Sequence, residues 1–372
     1  MSALFLSAVD VDATILQFTS EELVTLMANV FFKLSYTVRE TSSFAQTDMS
    51  LPHRTVISTP SHHVLFMPSR LAPFGTAVKV VSAPGASASQ EARALGLPAT
   101  SLLMDENTGQ VKAIVNAGKL TALRNAAGMR LSGSLLSFRL IASHARAPIN
   151  VVAIGSGAQI AAHISLFLSH YPSIDQCTIF NRSVNSRLTN LLEQLRGRLA
   201  SRNVRFFGHA LPTSDSEEDT EERRLLRRSL QDAQIVITAT SSTKPLFPSS
   251  YITAGTHICL IGSYTPQMHE IDTDLVKRAG TVVVDSTEGC KREAGELIAA
   301  GLLDSHSVEM GELIASASNT SWEGNQALIE TVRNSGDVTI FKSVGVGAQD
   351  VAIASLVVDK AMALGVGTLL TL

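Results

Sequence analysis

From residue 148 onward the chain alternates short apolar runs with longer amphipathic ones. "INVVAIGSG", "AQIAAHISLFLSHY", "QCTIFNRS", "SRLTNLLEQLRGRLA" and "VRFFGHA" read as strand, helix, strand, helix and strand. "AQIVITAT", "HICLIGS" and "TVVVDS" add three more apolar, β-branched runs separated by polar or helical stretches. Strands this apolar need cover on both faces, and short strands joined through helices pair in parallel. The pattern therefore predicts an α/β fold with a doubly wound parallel sheet.

The first third has a different texture. "GTAVKVVSA" and "ATSLLMDENTGQVKAIVNA" alternate along the strand, and "DENTG" between two such runs is a hairpin turn signal. This half reads as α+β and opens on a strand. The tail "DVTIFKSVGVGAQDVAIASLVVDKAMALGVG" reads as a strand, a glycine-rich turn and an apolar-striped helix. Such a helix needs a surface to cover, and packing back on the first lobe makes that lobe discontinuous. The expected division is 1–128 with 338–372 for the α+β lobe, and 129–337 for the doubly wound one.

Composition narrows the partners. At 372 residues, 45% hydrophobic and 17% charged, the chain can bury two ordinary cores. A net charge of -3 and the absence of a basic cluster interleaved with aromatics argue against nucleic acid. No apolar run is long enough to span a membrane, and the short one at the start lacks a positive flank, so no membrane partner is expected. The three cysteines, Cys177, Cys259 and Cys290, lie far apart without metal-ligand spacing, which suits a reducing cytoplasm and no metal site. The charge-dense segment 212–232, acidic then basic, reads as a solvated loop and helix without assigned function.

"VVAIGSGAQIAAH" places Gly155 and Gly157 between an apolar strand and a helix. Glycines there allow a tight turn and let a pyrophosphate approach the free N–H groups of a helix N-terminus, the arrangement of dinucleotide-binding folds. The third glycine of that fingerprint is replaced by Ile160, so position in the strand–helix series carries the assignment. The next strand ends in Asn181, Arg182 and Ser183 instead of an acidic residue. An arginine beside small hydrogen-bonding groups suits a ribose 2'-phosphate, so NADPH is expected, with NADH possible.

Three cations in the first lobe are candidates for holding a substrate: Arg54 in "LPHRT", Lys79 in "GTAVKVVSA" and Arg124 in "LTALRNAAG". Taken alone, Lys79 admits two readings, a side chain pointing to solvent from an alternating strand or part of a carboxylate clamp. Spacing along the chain does not decide between them.

The run of "PHRT", "MPS", "VKVVS", "DENTG", "LTALRNAAG", "IGSGAQ", "NRS", "TATSS", "IGSYTPQMHEID", "VVVDSTEGCKREAGEL" and "IFKSVGVGAQD" resembles the ornithine cyclodeaminase and mu-crystallin family over nearly the whole chain. The resemblance implies a discontinuous α+β lobe for substrate binding and dimerisation, joined to a Rossmann lobe. It places Arg54, Lys79 and Arg124 on carboxylate-binding positions, with Glu293 and Val344 beside the ligand. It places Arg124, Gly155, Gly157, Ala158, Gln159, Asn181, Arg182, Ser183, Thr238, Thr240, Ile261, Gly262 and Ser343 near the dinucleotide. Asn125, where the family usually has threonine, and Ile160, where it usually has alanine, depart from the pattern.

A larger departure lies in "IGSYTPQMHEID". Where cyclodeaminases and alanine dehydrogenases of the family carry an acid–base aspartate, counting back from Pro266 puts Tyr264. A phenol holds its proton at neutral pH and makes a poor base for an ammonium group, though it donates a hydrogen bond. Reduction of a preformed cyclic imine needs no such base. The expected function is therefore NADPH-dependent reduction of a small cyclic α-imino carboxylate by a homodimer, with Lys79 and Tyr264 as the catalytic candidates. The alternatives are an ornithine or lysine cyclodeaminase, an amino-acid dehydrogenase, and a non-catalytic NADPH-dependent binding protein.

Overall fold

A computed structural model describes residues 2–39, 48–85, 87–136, 148–212 and 220–371. The described residues form two compact units, one of Met1–Arg124, Ser318–Ser321 and Val346–Leu372, the other of Asn125–Ala317 and Trp322–Gly345. Of the charge-dense segment, residues 213–219 lie outside the described residues, and Glu221–Gln231 is a helix capped by the Thr220 hydroxyl.

The first unit is built on an eight-stranded sheet. Its strands are β1 (Ser2–Leu6), β2 (Met49–Ser50), β3 (Thr55–Ser58), β4 (His62–Leu71), β5 (Gly75–Pro84), β6 (Ala99–Met104), β7 (Val111–Asn116) and, from the tail, β18 (Thr368–Thr371). The order is β18-β1-β7-β6-β5-β4-β2, with β3 also pairing β4. All pairs are antiparallel except β1 with β7. On β5, Ala77 and Lys79 point to the buried face while Val78 and Val80 are only half-buried on the other. The helix Gly347–Leu364 covers that buried face. Ser69 Oγ on β4 donates to Gly347 O at 3.0 Å, and a Cβ on Gly347 would come within 2.8 Å of the Ser69 Cβ. Only glycine lets the helix start this close to the sheet.

The second unit holds a parallel sheet of β8 (Asn150–Ile154), β9 (Gln176–Asn181), β10 (Arg205–Ala210), β11 (Ile235–Thr238), β12 (His257–Leu260), β13 (Val282–Val284), β14 (Ser307–Glu309) and β17 (Thr339–Lys342). A separate hairpin pairs β15 (Ile314–Ala317) with β16 (Trp322–Gly324). The sheet order is β10-β9-β8-β11-β12-β17-β13-β14. Residues of β8, β11, β12, β13 and β17 are almost entirely buried, as expected for a sheet covered on both faces. This is the doubly wound α/β sheet that the strand–helix alternation predicts. From β8 the chain winds outward to β9 and β10, then returns to β11 and winds the other way. The reversal makes the carboxyl ends of β8 and β11 the switch point where ligands of such sheets bind.

Candidate functional site

In the first unit two of the three sequence-predicted cations, Lys79 and Arg124, converge on an acid that sequence reasoning passed over. Lys79 is 4% exposed and Arg124 2% exposed, which excludes the solvent-facing reading of Lys79. Lys79 Nζ lies 2.5 Å from Asp350 Oδ2, and Arg124 Nε donates to Asp350 Oδ1 at 3.1 Å. Arg124 Nη1 donates to Gln349 Oε1 at 2.7 Å. Asp350 and Gln349 sit in the first turn of the helix Gly347–Leu364, where the helix dipole favours an anion. Arg124 comes from the helix Leu120–Leu136, as does Thr121, whose hydroxyl is 3.5 Å from Lys79 Nζ. Arg54 is half-buried in the segment before β3, close enough to act on the charge of Lys79.

The electrostatics of this group follow from its unequal charges. Two cations beside Asp350 outweigh its burial and hold its carboxyl below the usual range. Lys79 faces one anion but two further cations, Arg124 and Arg54. Burial foremost, then those cations, pull its ammonium below the ordinary lysine value against the attraction of Asp350.

In the second unit the glycine turn occupies the switch point. Gly155 has φ +121, and a Cβ there would lie 2.7 Å from Ala239 O just after β11, so glycine is required. Gly157 caps the helix Ala158–His170 without a side-chain hydrogen bond, and a Cβ on it would meet nothing within 4 Å. The helix N-terminus thus presents N–H groups beside open space. Thr238 Oγ1 and Gln159 Oε1 are buried without a hydrogen-bond partner among the described residues. Thr238 pairs in register with Ile154, one residue before Gly155. Orphaned polar atoms beside an uncapped helix start fit a polar ligand carrying phosphate, as a dinucleotide does. Ile160, in place of the third glycine, is fully buried and packs toward Gly155.

The strand ends next to this turn are tied by two buried carboxylates. Glu270 accepts from Thr240 N at 2.7 Å, Thr240 Oγ1 at 2.9 Å and Gly262 N at 2.7 Å. Burial pushes the Glu270 carboxyl up, Lys342 opposes this, and Glu296 adds to it. A Cβ on Gly262 would lie 2.0 Å from Thr240 O, so this approach also demands glycine. Ser263 Oγ donates to Glu296 at 2.5 and 2.6 Å, and Lys342 Nζ donates to Ser263 O at 2.8 Å and reaches Glu296 Oε1 at 3.1 Å. Ile261 N–H continues the ladder to Thr238 O at 3.0 Å. Tyr264, the next residue after this framework, is 40% exposed.

A model of the ornithine cyclodeaminase/mu-crystallin family matches residues 23–364. The chain belongs to that family. An uncharacterised cyclodeaminase of Dictyostelium discoideum is 27% identical over 317 residues, covering 82% of this chain and 81% of that protein. A Delta(1)-pyrroline-2-carboxylate reductase of Bacillus cereus is 28% identical over 272 residues, 72% of each chain. The solved structure of Thermococcus litoralis Delta(1)-pyrroline-2-carboxylate reductase in complex with NADH and L-proline superposes with TM-score 0.73 at 23% identity, over 98% of this chain and 99% of that one. That likeness shows the shared fold.

The remaining positions expected from the ornithine cyclodeaminase/mu-crystallin resemblance are placed as follows. Asn181 ends β9 and its Nδ2 donates to Ser183 O at 2.9 Å, while Arg182 and Ser183 are exposed. Ala158 opens its helix at the surface. Ser343 Oγ donates to Asp285 at 2.7 Å, an oxygen that also accepts Gly345 N–H at 2.7 Å. Val344 is half-buried against Gly289, and Glu293 ends the helix Thr287–Glu293 half-buried. In "KREAGEL" the fully buried glutamate is Glu296, which sequence reading missed along with Gln349, Asp350 and Lys342. For Lys342 a signal was present, since a lysine closing the apolar run "TIFK" needs a buried anion.

Proposed function

We propose that the protein reduces a small cyclic α-imino carboxylate, of the pyrroline- or piperideine-2-carboxylate type, to the cyclic amino acid with NADPH. Its class is that of NAD(P)H-dependent oxidoreductases acting on a carbon–nitrogen bond. The observation that carries this reading is the gathering of buried cations at Asp350. Lys79 and Arg124 are buried and share that one carboxylate, with Arg54 nearby. Cations gathered in a desolvated site attract an anionic group of the substrate more strongly than the same charges do in water. The arginine forks suit a carboxylate's two oxygens and Lys79 adds a point charge.

With its carboxylate anchored, the ring is held in one orientation, which removes much of the entropy cost of reaction. The imine carbon would take up the hydride that a nicotinamide dinucleotide supplies when bound. The nitrogen becomes a secondary amine, entering as an iminium or taking one proton, so each ring consumes one hydride and one proton. Lys79 is the proposed source of that proton, and Tyr264 the proposed hydrogen-bond donor to the nitrogen. Glu293 and Val344 are proposed as ligand neighbours, and the residues from Gly155 to Gln159, with Thr238, Thr240, Ile261, Gly262 and Ser343, as the dinucleotide's surroundings. Arg182, exposed at the end of β9, is the proposed partner of a 2'-phosphate. The homodimer and the cytoplasmic setting belong to the same proposal. No described helix is long and apolar enough to cross a membrane, and all three cysteines are free and buried.

The test is a screen of NADPH oxidation across five- and six-membered cyclic imino acids, including substituted and sulfur-containing rings, with a reverse arm of ornithine, lysine or alanine plus NAD(P)+. Turnover in the reductive arm is expected. Turnover in the reverse arm alone would assign the cyclodeaminase or dehydrogenase chemistry, and saturable NADPH binding without turnover a ligand-binding role. Arg182→Ala should weaken NADPH by about tenfold while leaving NADH unchanged, as loss of one charge-assisted contact implies. Equal effects on both cofactors would remove the 2'-phosphate assignment.

A further inference from the structure

We propose that Asp350 is a positioning residue that keeps Lys79 charged, and thereby sets the upper pH at which the clamp accepts a carboxylate. The inference rests on the functional reading above for what the clamp binds, but not for the charge itself.

The geometry behind it is a two-sided carboxylate. One oxygen of Asp350 is 2.5 Å from Lys79 Nζ and the other 3.1 Å from Arg124 Nε, so a single buried group serves both cations. The charged groups facing Lys79 come from each element around it. Asp350 comes from the helix Gly347–Leu364, Arg124 from the helix Leu120–Leu136, and Arg54 from the segment before β3. Thr121, whose hydroxyl is 3.5 Å from Lys79 Nζ, is neutral. Asp350 is thus the sole anion acting on Lys79 among the described residues, set against two cations and a desolvated site. Guanidinium does not lose its proton in proteins. Lys79 is the one cation of the three that can be lost, and burial together with two like charges drives it toward the neutral amine. Without the Asp350 charge that drive is unopposed. A neutral amine would neither attract the substrate carboxylate nor carry a proton for the imine nitrogen.

Carbon-13 labelling of the lysine side-chain Cε in the full-length protein, with the Lys79 signal assigned by its loss in Lys79→Met, reads the charge of Lys79 without substrate. In the unmutated protein Lys79 should be an ammonium at neutral pH. In Asp350→Asn its titration should move down by at least about one pH unit, a tenfold change in proton affinity. Asp350→Glu, which keeps the charge, should stay near the original. The alkaline limb of kcat/KM for the imine should follow the same shift, so that Asp350→Asn recovers activity on acidification while NADPH binding is unchanged. A merely structural role would lower activity evenly at all pH values and leave the limb in place, which overturns the proposal. So does a neutral Lys79 in the unmutated protein at neutral pH, a result that does not require Asp350→Asn to fold. If the Lys79 titration shifts as expected but no cyclic imine is reduced, the functional reading fails and the assignment of Asp350 stands.

Discussion

Lys79 and Lys342 are both buried lysines on strands, yet their surroundings differ in kind. Lys342 meets a backbone carbonyl, a hydroxyl and the Glu296 carboxylate, with Glu270 adding a second acid nearby. An ammonium has three hydrogens to donate, and this site offers three acceptors and ample negative charge. Lys79 has Asp350 and, more weakly, the Thr121 hydroxyl among the described residues, and shares that acid with Arg124. Two acids lie around Lys342, whereas Lys79 shares its one acid with a second cation. The contrast separates a pin, whose contacts are finished within the chain, from a lysine proposed above as part of a substrate clamp.

The largest expected effect breaks the pin. Lys342→Met leaves Glu296 buried without its cation and should cost about 3–5 kcal/mol of stability. Urea unfolding measures it, and a loss below about 1 kcal/mol would place Lys342 with ordinary surface lysines instead.

Lys79→Met tests the other side. It should remove about 2–4 kcal/mol of transition-state stabilisation in kcat/KM for the imine, as a desolvated substrate carboxylate loses a partner. Unfolding should change little, because Asp350 retains Arg124. Near-normal kcat/KM with a large loss of stability would make both lysines pins and erase the distinction.

Acid sharpens the comparison with the smallest change taken over one pH unit. His163 and His257, both in the second unit and fully buried, have values lowered by burial from 6.5 to about 4 and about 3. His163 Nδ1 faces Gln159 O, and His257 lies between Ser132 and Thr339. Lowered folded values mean that the unfolded chain binds protons first. Their contribution is therefore whole above 6.5 and declines as pH falls through the window down to about 4 and about 3. Each should cost about 1.4 kcal/mol per pH unit within that window. Asp350, lowered from 3.8, adds its loss only below that value. Trp322, in the second unit and the single tryptophan of the chain, reports the change by fluorescence during urea unfolding. A midpoint that does not move between pH 6.5 and about 4 would remove the two histidines from the account.

The two buried groups also differ in how far they could be read beforehand. The second unit's sheet was legible because apolar runs and the Gly155–Gly157 turn are local patterns, and the switch point follows from strand order. Lys79 and Arg124 stood out as cations in apolar or helical contexts, and the family resemblance linked them. Asp350 did not, since it lies 271 residues from Lys79 and 226 from Arg124, and nothing in "GAQD" distinguishes a buried acid from a helix-start acid in water. Glu270 and Glu296 were hidden for the same reason. Their partners are backbone amides, a hydroxyl and a lysine brought together by the ends of adjacent strands. Sequence period reports which face a residue occupies, while the partner across the fold is set by tertiary packing.

Tyr264 stands on the framework that Glu270, Glu296 and Lys342 hold, yet its own side chain is 40% exposed. Its neighbours Gly262 and Ser263 are constrained by close backbone approach and buried hydrogen bonds. The loop is thus divided into a stretch that tolerates no change and a position open to it. A lineage, or a designer, could exchange the side chain at 264 for an acid or an amide and alter the proton chemistry offered there without endangering the fold. On the role proposed for Tyr264, reaction type would then evolve as a single-site trait on an unchanged scaffold.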